Sequence, residues 1–172
     1  MMTEKSFNIL FVCSGNSCRT PMAEGLMKIK IPPEFQAQVS VASAGTLGIY
    51  DSPATPHAIE VVTALGADIS EHRSQGVTEE LMEEADLVFA MAIEHMDYLQ
   101  RYYPHYRENV FLLRSFDRPR DERRDDSIDD PIGGRLGVYR KCAALINAEL
   151  ERILPRMSEL FAEKLRSEDP SL

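Results

Sequence analysis

Three cysteines, no long apolar run and little positive charge bound what this chain of 172 residues can be. Cys13, Cys18 and Cys142 are too few for a disulfide scaffold. An odd cysteine count behind the polar opening MMTEKS, which carries no signal-peptide pattern, points to a reducing cytoplasm. The apolar stretch FNILFVC is far too short to span a bilayer, so no membrane partner is expected. Lys and Arg number 19 against 28 Asp and Glu, a formal charge of −9. Phosphate surfaces repel such a chain, which excludes general nucleic-acid and anionic-membrane binding. Internal repeats are absent. The length favours one domain over residues 1–172, with 167–172 frayed at its end. A core of that size needs no disulfide or metal to hold it.

What is present alternates. Residues 7–12 are nearly all apolar, as in a strand buried on both faces, and short runs of the same kind follow at 39–43, 86–91 and 109–113. Helical spacing lies between them. Residues 20–30 open with Thr20-Pro21 and residues 55–66 with Thr55-Pro56, a cap followed by proline at the first helical position. Residues 78–85 open at Thr78 with two acids in the first turn, and 92–102 make another helix. A long helix runs from about 135 to 153 on the stripe Tyr139, Cys142, Ile146, Leu150 and Ile153, and Pro155 ends or restarts it. Strands alternating with helices give an α/β fold with a parallel sheet covered on both faces. Residues 117–130 are almost all charge and read as a solvated loop ending at Asp130-Pro131.

Parallel sheets bind ligands beyond the carboxyl ends of their strands. The stretch FVCSGNSCRTPMAEG, residues 11–25, sits there, where the first strand hands over to the first helix. The backbone N–H groups of Ser14, Gly15, Asn16, Ser17 and Cys18, with the helix N-terminus beneath, form a cradle for phosphate or a similar oxyanion. Gly15 allows a conformation that a side chain would forbid and lets a ligand reach the backbone. Arg19 closes the loop and can fork two donors onto two phosphate oxygens. Cys13 opens it, in a field that is expected to lower its thiol pKa by several units, and a thiolate facing a phosphoryl group is a nucleophile. Thr20 can donate its hydroxyl to that sulfur and cap the helix. The loop lacks the Gly-Lys-Ser/Thr ending of a nucleotide-binding loop. No second cysteine or histidine pair follows at suitable spacing, so a zinc site is not expected.

At these residues the chain resembles the low-molecular-weight protein tyrosine phosphatases. The likeness is carried by VCSGNSCRTPMAEG, then SAGT at 43–46, EHRS at 71–74, ADLVFAM at 85–91 and DDPIGG at 129–134, in family order. It implies a single-domain three-layer sandwich with a four-stranded parallel sheet, a phosphorylated protein as substrate and no cofactor. It implies attack on phosphorus by Cys13, with Arg19 and the loop amides on the equatorial oxygens and Asp130 as the acid that protonates the leaving group. Asn16, Ser43 and His72 match positions that brace the loop. Cys18 matches a neighbour that can form a protective disulfide with the nucleophile; a small residue packed under the loop is the other reading. The chemistry of a leaving group that needs a proton supports Asp130 independently, with Asp129 as the competing carboxylate. His57, His95 and His105 are read as structural, and Cys142 as inert core.

Two departures bear on the substrate. Ser17 stands where tyrosine-specific members carry a bulky aliphatic residue, and Ile132, Gly133 and Gly134 follow Asp130-Pro131 where aromatics are common. Both resemble the branch that acts on phosphoarginine. Ser17 and Ile132, with Tyr50 or Ile49 opposite, are expected to wall the substrate pocket. The family as a whole leans the reading to phosphotyrosine, with phosphoarginine second. Thiol-linked arsenate reduction, which needs further mid-chain cysteines absent from residues 66–100, and a non-catalytic phosphate-binding module stand further off.

Overall fold

The computed structural model describes residues 4–166, so the frayed end expected at 167–172 lies outside the described residues. Four strands, β1 (Phe7–Cys13), β2 (Val39–Gly45), β3 (Leu87–Ala90) and β4 (Val110–Leu112), form one parallel sheet in the order β2-β1-β3-β4. Five α-helices connect and cover them: α1 (Arg19–Lys30), α2 (Pro56–Thr63), α3 (Glu79–Glu84), α4 (Ile93–Tyr102) and α5 (Leu136–Arg166).

The central strand shows why both faces are covered. Phe7, Ile9, Phe11 and Cys13 point into one apolar layer with α1, α2 and α5, while Leu10 and Val12 point into the other with Met82 of α3 and Leu99 of α4. Side chains alternate across a strand, so a nearly unbroken apolar run requires partners on both sides. The register pairs Cys13 with Gly45 and Val12 with Ala90, which brings the carboxyl ends of β1, β2 and β3 to one edge. No helix among the described residues is long and apolar enough to cross a membrane.

The helix ends depart from the sequence reading in three places. α1 starts at Arg19, one residue early, and Thr20 does not cap it, because its hydroxyl is committed to the loop. α2 has Thr55 before Pro56 as expected, but its side chain makes no capping bond. Thr78 does cap α3, accepting from Leu81 N–H at 3.2 Å. Pro155 neither ends nor restarts α5, which runs through it. Proline removes one backbone donor and crowds the preceding turn. The buried stripe outweighs that loss by continuing beyond it, with Met157 and Phe161 fully buried in line with Ile146, Leu150 and Ile153. Segment 117–130 is also less solvated than its composition suggests: Ile128 is buried, and Arg118, Arg124, Asp126 and Ser127 are half-buried.

Phe161 tests the continuation. Its ring meets Phe7 edge-on at 4.9 Å and Phe35 at 5.5 Å. Phe161→Ala should cost about 3–5 kcal/mol and lower Tm by roughly 10 °C. A thermal melt showing a cost below about 0.5 kcal/mol, as for an exposed side chain, would mean that Pro155 does end the packed helix.

Candidate active site

The loop between β1 and α1 is shaped by Asn16. Its φ of 55° puts it in the left-handed region that asparagine tolerates better than most side chains. Gly15, expected to take that role, has no positive φ, and a Cβ on it would meet only Ser17 Oγ at 3.5 Å. The close approach falls instead on Gly45, where a Cβ would sit 2.4 Å from the Ser14 carbonyl oxygen. Glycine at the end of β2 therefore lets the loop lie against the sheet.

Asn16 is buried and fully engaged. Its Nδ2 donates to Thr20 Oγ1 and Ser43 Oγ, each at 2.9 Å, and its Oδ1 accepts from Gln75 N–H at 3.0 Å. Its carbonyl accepts from His72 Nε2 at 2.8 Å. Ser43 in turn donates to Glu24 at 2.9 Å. The structure thus brings Asn16, Ser43 and His72 together around the loop. It adds Gln75 and Glu24, which sequence reasoning passed over; Gln75 directly follows the EHRS motif, and that adjacency was the available signal. Thr20 Oγ1 accepts from Asn16, so its own proton is free for Cys13 Sγ, 3.0 Å away.

Cys13 is almost wholly buried. Burial pushes its thiol pKa up, opposed by the Thr20 hydroxyl, the Arg19 guanidinium and the amides of Thr20 and Asn16. The expected strong depression is therefore corrected: desolvation of the buried sulfur outweighs the surrounding donors. Those donors are the groups that an anionic sulfur depends on.

Arg19 is also buried. Nη1 donates to the Ile128 carbonyl at 2.9 Å, and Nη2 lies 3.4 Å from Asp130 Oδ2. This pins the guanidinium between the loop and the segment that carries the acid. Asp130 is exposed, and its Oδ1 accepts from Ile132 N–H at 3.1 Å, a short local turn that aims the carboxylate. Cys13, Ser14, Gly15, Ser17, Cys18, Arg19, Leu47, Ile49, Asp130 and Ile132 line one cavity of about 250 Å³. Asp129 does not line it; it faces a separate cavity beside Cys142. Tyr50, expected on the wall, is also absent from it. Its hydroxyl turns back over Gly76; Ile49, the alternative expected there, lines the cavity together with Leu47.

Cys18 is a buried free thiol whose Sγ lies 3.4 Å from both Thr55 Oγ1 and Tyr139 Oη. Cys142 is buried with its thiol pushed up to about 12 by desolvation, and His57 packs its ring on Tyr139 at 5.3 Å. His95 was read as merely structural, yet it reaches the loop. It is buried, its Nδ1 accepts from Ala92 N–H at 3.1 Å, and Nε2 therefore carries the proton towards Ser14 Oγ at 2.8 Å. Burial and the nearby Arg19 lower its pKa to about 4, so the ring is neutral at physiological pH. Its position just past the carboxyl end of β3 was the sequence signal for such a role. Among the described residues no group of three or more His, Cys, Asp or Glu is placed to hold a metal.

The arrangement has known counterparts. The sequence model of the low molecular weight phosphotyrosine protein phosphatases matches residues 8–167. A protein-arginine-phosphatase of Bacillus subtilis is 36% identical over 159 residues, covering 92% of this chain and 99% of that one. The YwlE arginine phosphatase of Geobacillus stearothermophilus superposes with a TM-score of 0.80 at 32% identity, covering 91% of this chain and 96% of that one. A low molecular weight protein tyrosine phosphatase from T. tengcongensis superposes with a TM-score of 0.78 at 35% identity, covering 88% and 99%. With nearly the whole chain matched and a cysteine-to-arginine loop at the sheet edge, the chain belongs to the low-molecular-weight protein tyrosine phosphatase family of cysteine-dependent hydrolases.

Proposed function

We propose that this phosphatase hydrolyses phosphoarginine on proteins. The carrying observation is the pocket wall: Ser17 lines it, the ring of Tyr50 is turned away over Gly76, and among the described residues no aromatic side chain lines it. A flat phenyl ring gains from bulky apolar faces, whereas a guanidinium gains from a hydrogen-bonding hydroxyl, here Ser17. The arginine phosphatases of Bacillus and Geobacillus support this reading by their similarity along nearly the whole chain. Phosphotyrosine is the second reading, favoured by the aliphatic walls Leu47, Ile49 and Ile132, which can sandwich a ring.

The chemistry follows from the placement of the residues. The phosphoryl oxygens sit on the loop amides and Arg19. The Cys13 thiolate attacks phosphorus as the bond to the leaving nitrogen breaks. Asp130, protonated, gives that nitrogen its proton. Water then attacks the cysteinyl-phosphate, Asp130 takes the water proton, and the P–S bond breaks to return the thiolate and free phosphate. Asn16, Ser43, His72 and Gln75 keep the loop in the shape that aims its amides inward.

The first measurement is kcat/KM on two matched peptides, one with phosphoarginine and one with phosphotyrosine. The phosphoarginine peptide should be preferred, and Ser17→Ile should shift the ratio towards phosphotyrosine by about tenfold or more. A wild-type preference for phosphotyrosine would overturn the substrate assignment.

Cys13→Ser should abolish turnover while retaining phosphate binding, read by calorimetry. Asp130→Asn should slow poor leaving groups by roughly 10²–10³-fold and good ones far less. Wild-type rates for Asp130→Asn on a poor leaving group would remove it from the acid role.

Thr20→Val keeps the side-chain shape and removes the hydroxyl beside the sulfur. It should raise the Cys13 thiol pKa further, because the anion loses the hydrogen bond of the Thr20 hydroxyl. Ultraviolet thiolate absorbance against pH, taken as a difference from Cys13→Ser, gives the value. An unchanged midpoint would show that Thr20 does not support the anion.

A further inference from the structure

One buried charge has no part in the chemistry above. Glu149 on α5 is 8% exposed and faces three guanidiniums. Arg152 Nε lies 2.8 Å from its carboxylate, Arg118 Nη2 2.5 Å and Arg114 Nε 3.9 Å. One carboxylate cannot neutralise three cations. The remaining donors go to backbone carbonyls: Arg152 to Phe116 at 2.7 Å and Leu113 at 3.1 Å, and Arg114 to Asp125 at 2.7 Å and Ser127 at 3.4 Å. The Nε atoms of Arg114 and Arg118 are buried without a hydrogen-bond partner. A cluster of this kind is a poor way to stabilise a fold, since apolar packing of equal volume does as well or better.

What the cluster holds lies next to the acid. Arg114 grips the carbonyls of residues 125 and 127 from the α5 side. From the sheet side, Ser127 Oγ accepts from Ile93 N–H at 3.0 Å, and Ile128 N–H donates to the Met91 carbonyl at 2.8 Å. The Ile128 carbonyl then receives Arg19 at 2.9 Å. Residues 127 and 128 are thus clamped from both directions, and the acid stands two residues further on. Residues 117–130 contain no helix or strand, so these anchors replace the ladder bonds that would otherwise fix the backbone.

We propose that Glu149 is a positioning residue for Asp130, acting through Arg114: its charge sets the guanidinium that fixes residues 125–128 and so the place from which the acid delivers its proton. The proposal rests on Asp130 being the acid. Displacement of a catalytic group by about 1 Å can cost 10²-fold, so a partial loosening should be visible in rate.

The test is Glu149→Gln, which keeps the shape and removes the charge, on a series of aryl phosphates with leaving groups from poor to good. kcat/KM should fall by about tenfold at the poor end and little at the good end, with inhibition by inorganic phosphate unchanged. In an Asp130→Asn background the same substitution should add less than about twofold, because there is no proton left to misplace. An equal loss across the series, or the same loss in both backgrounds, would overturn the proposal and leave Glu149 as a fold residue. If Glu149→Gln fails to fold, Arg114→Met removes the Nη1 that bonds both carbonyls and should give the same slope against leaving group; a flat slope overturns the proposal. Asp130→Asn alone separates the two ideas. A flat series for that variant removes the acid and this proposal with it, whereas a steep one beside a flat Glu149→Gln removes this proposal only.

Discussion

The left-handed turn at Asn16 is the constraint on which the site depends. A cradle of amides aimed at one point requires the chain to reverse curvature inside a few residues, and that reversal is unfavourable for a side chain unless it is held. Here it is held from every side. Thr20 comes from α1, Ser43 from β2, and Gln75 and His72 from the segment after α2; the first two accept from the Asn16 side-chain N–H groups, and the last two donate to its side-chain and backbone oxygens. The same bonds set the nucleophile's surroundings, because Thr20 accepts from Asn16 and turns its proton to the Cys13 sulfur. Loop shape and sulfur chemistry are one network.

Burial divides the labour within that network. Removing water from Cys13 works against the thiolate, yet it strengthens every charge and dipole aimed at the sulfur. Arg19 behaves alike: buried, it bonds a carbonyl and lies beside a carboxylate, so its planar fork is oriented before any phosphate arrives. Asp130 is the exposed member, at the rim of the cavity.

Much of this was legible in the sequence, and the failures have a common cause. The four apolar runs became the four strands, because a period-free apolar stretch can be satisfied only inside a covered parallel sheet. The cysteine-to-arginine loop was legible because the chemistry fixes both the residue types and their spacing. What could not be read was how the loop is shared with distant chain. Gly15 looked like the flexible point, but the left-handed residue is Asn16, whose partners lie far along the sequence. Thr20 was expected both to cap α1 and to donate to the Cys13 sulfur; its bonds to Asn16 and Cys13 leave it only the second role. Tyr50 looked like a wall because its direction is set by the close approach at Gly76. His95 and Glu149 gave little local signal, since each acts across more than thirty residues of chain. Pro155 misled for the opposite reason: a local rule was applied where a long buried stripe decides.

The cover over the active-site thiols has a consequence for biosynthesis. Tyr139 contacts Cys18 across 121 positions, and Ile128 holds Arg19 across 109. Cys13 and Cys18 are therefore translated long before the residues that enclose them. Two closely spaced thiols wait uncovered while most of the chain is still being made, and they gain their shelter only when α5 docks. Both thiols are buried once the chain is folded, so their surface is most accessible in the interval between synthesis and that final docking.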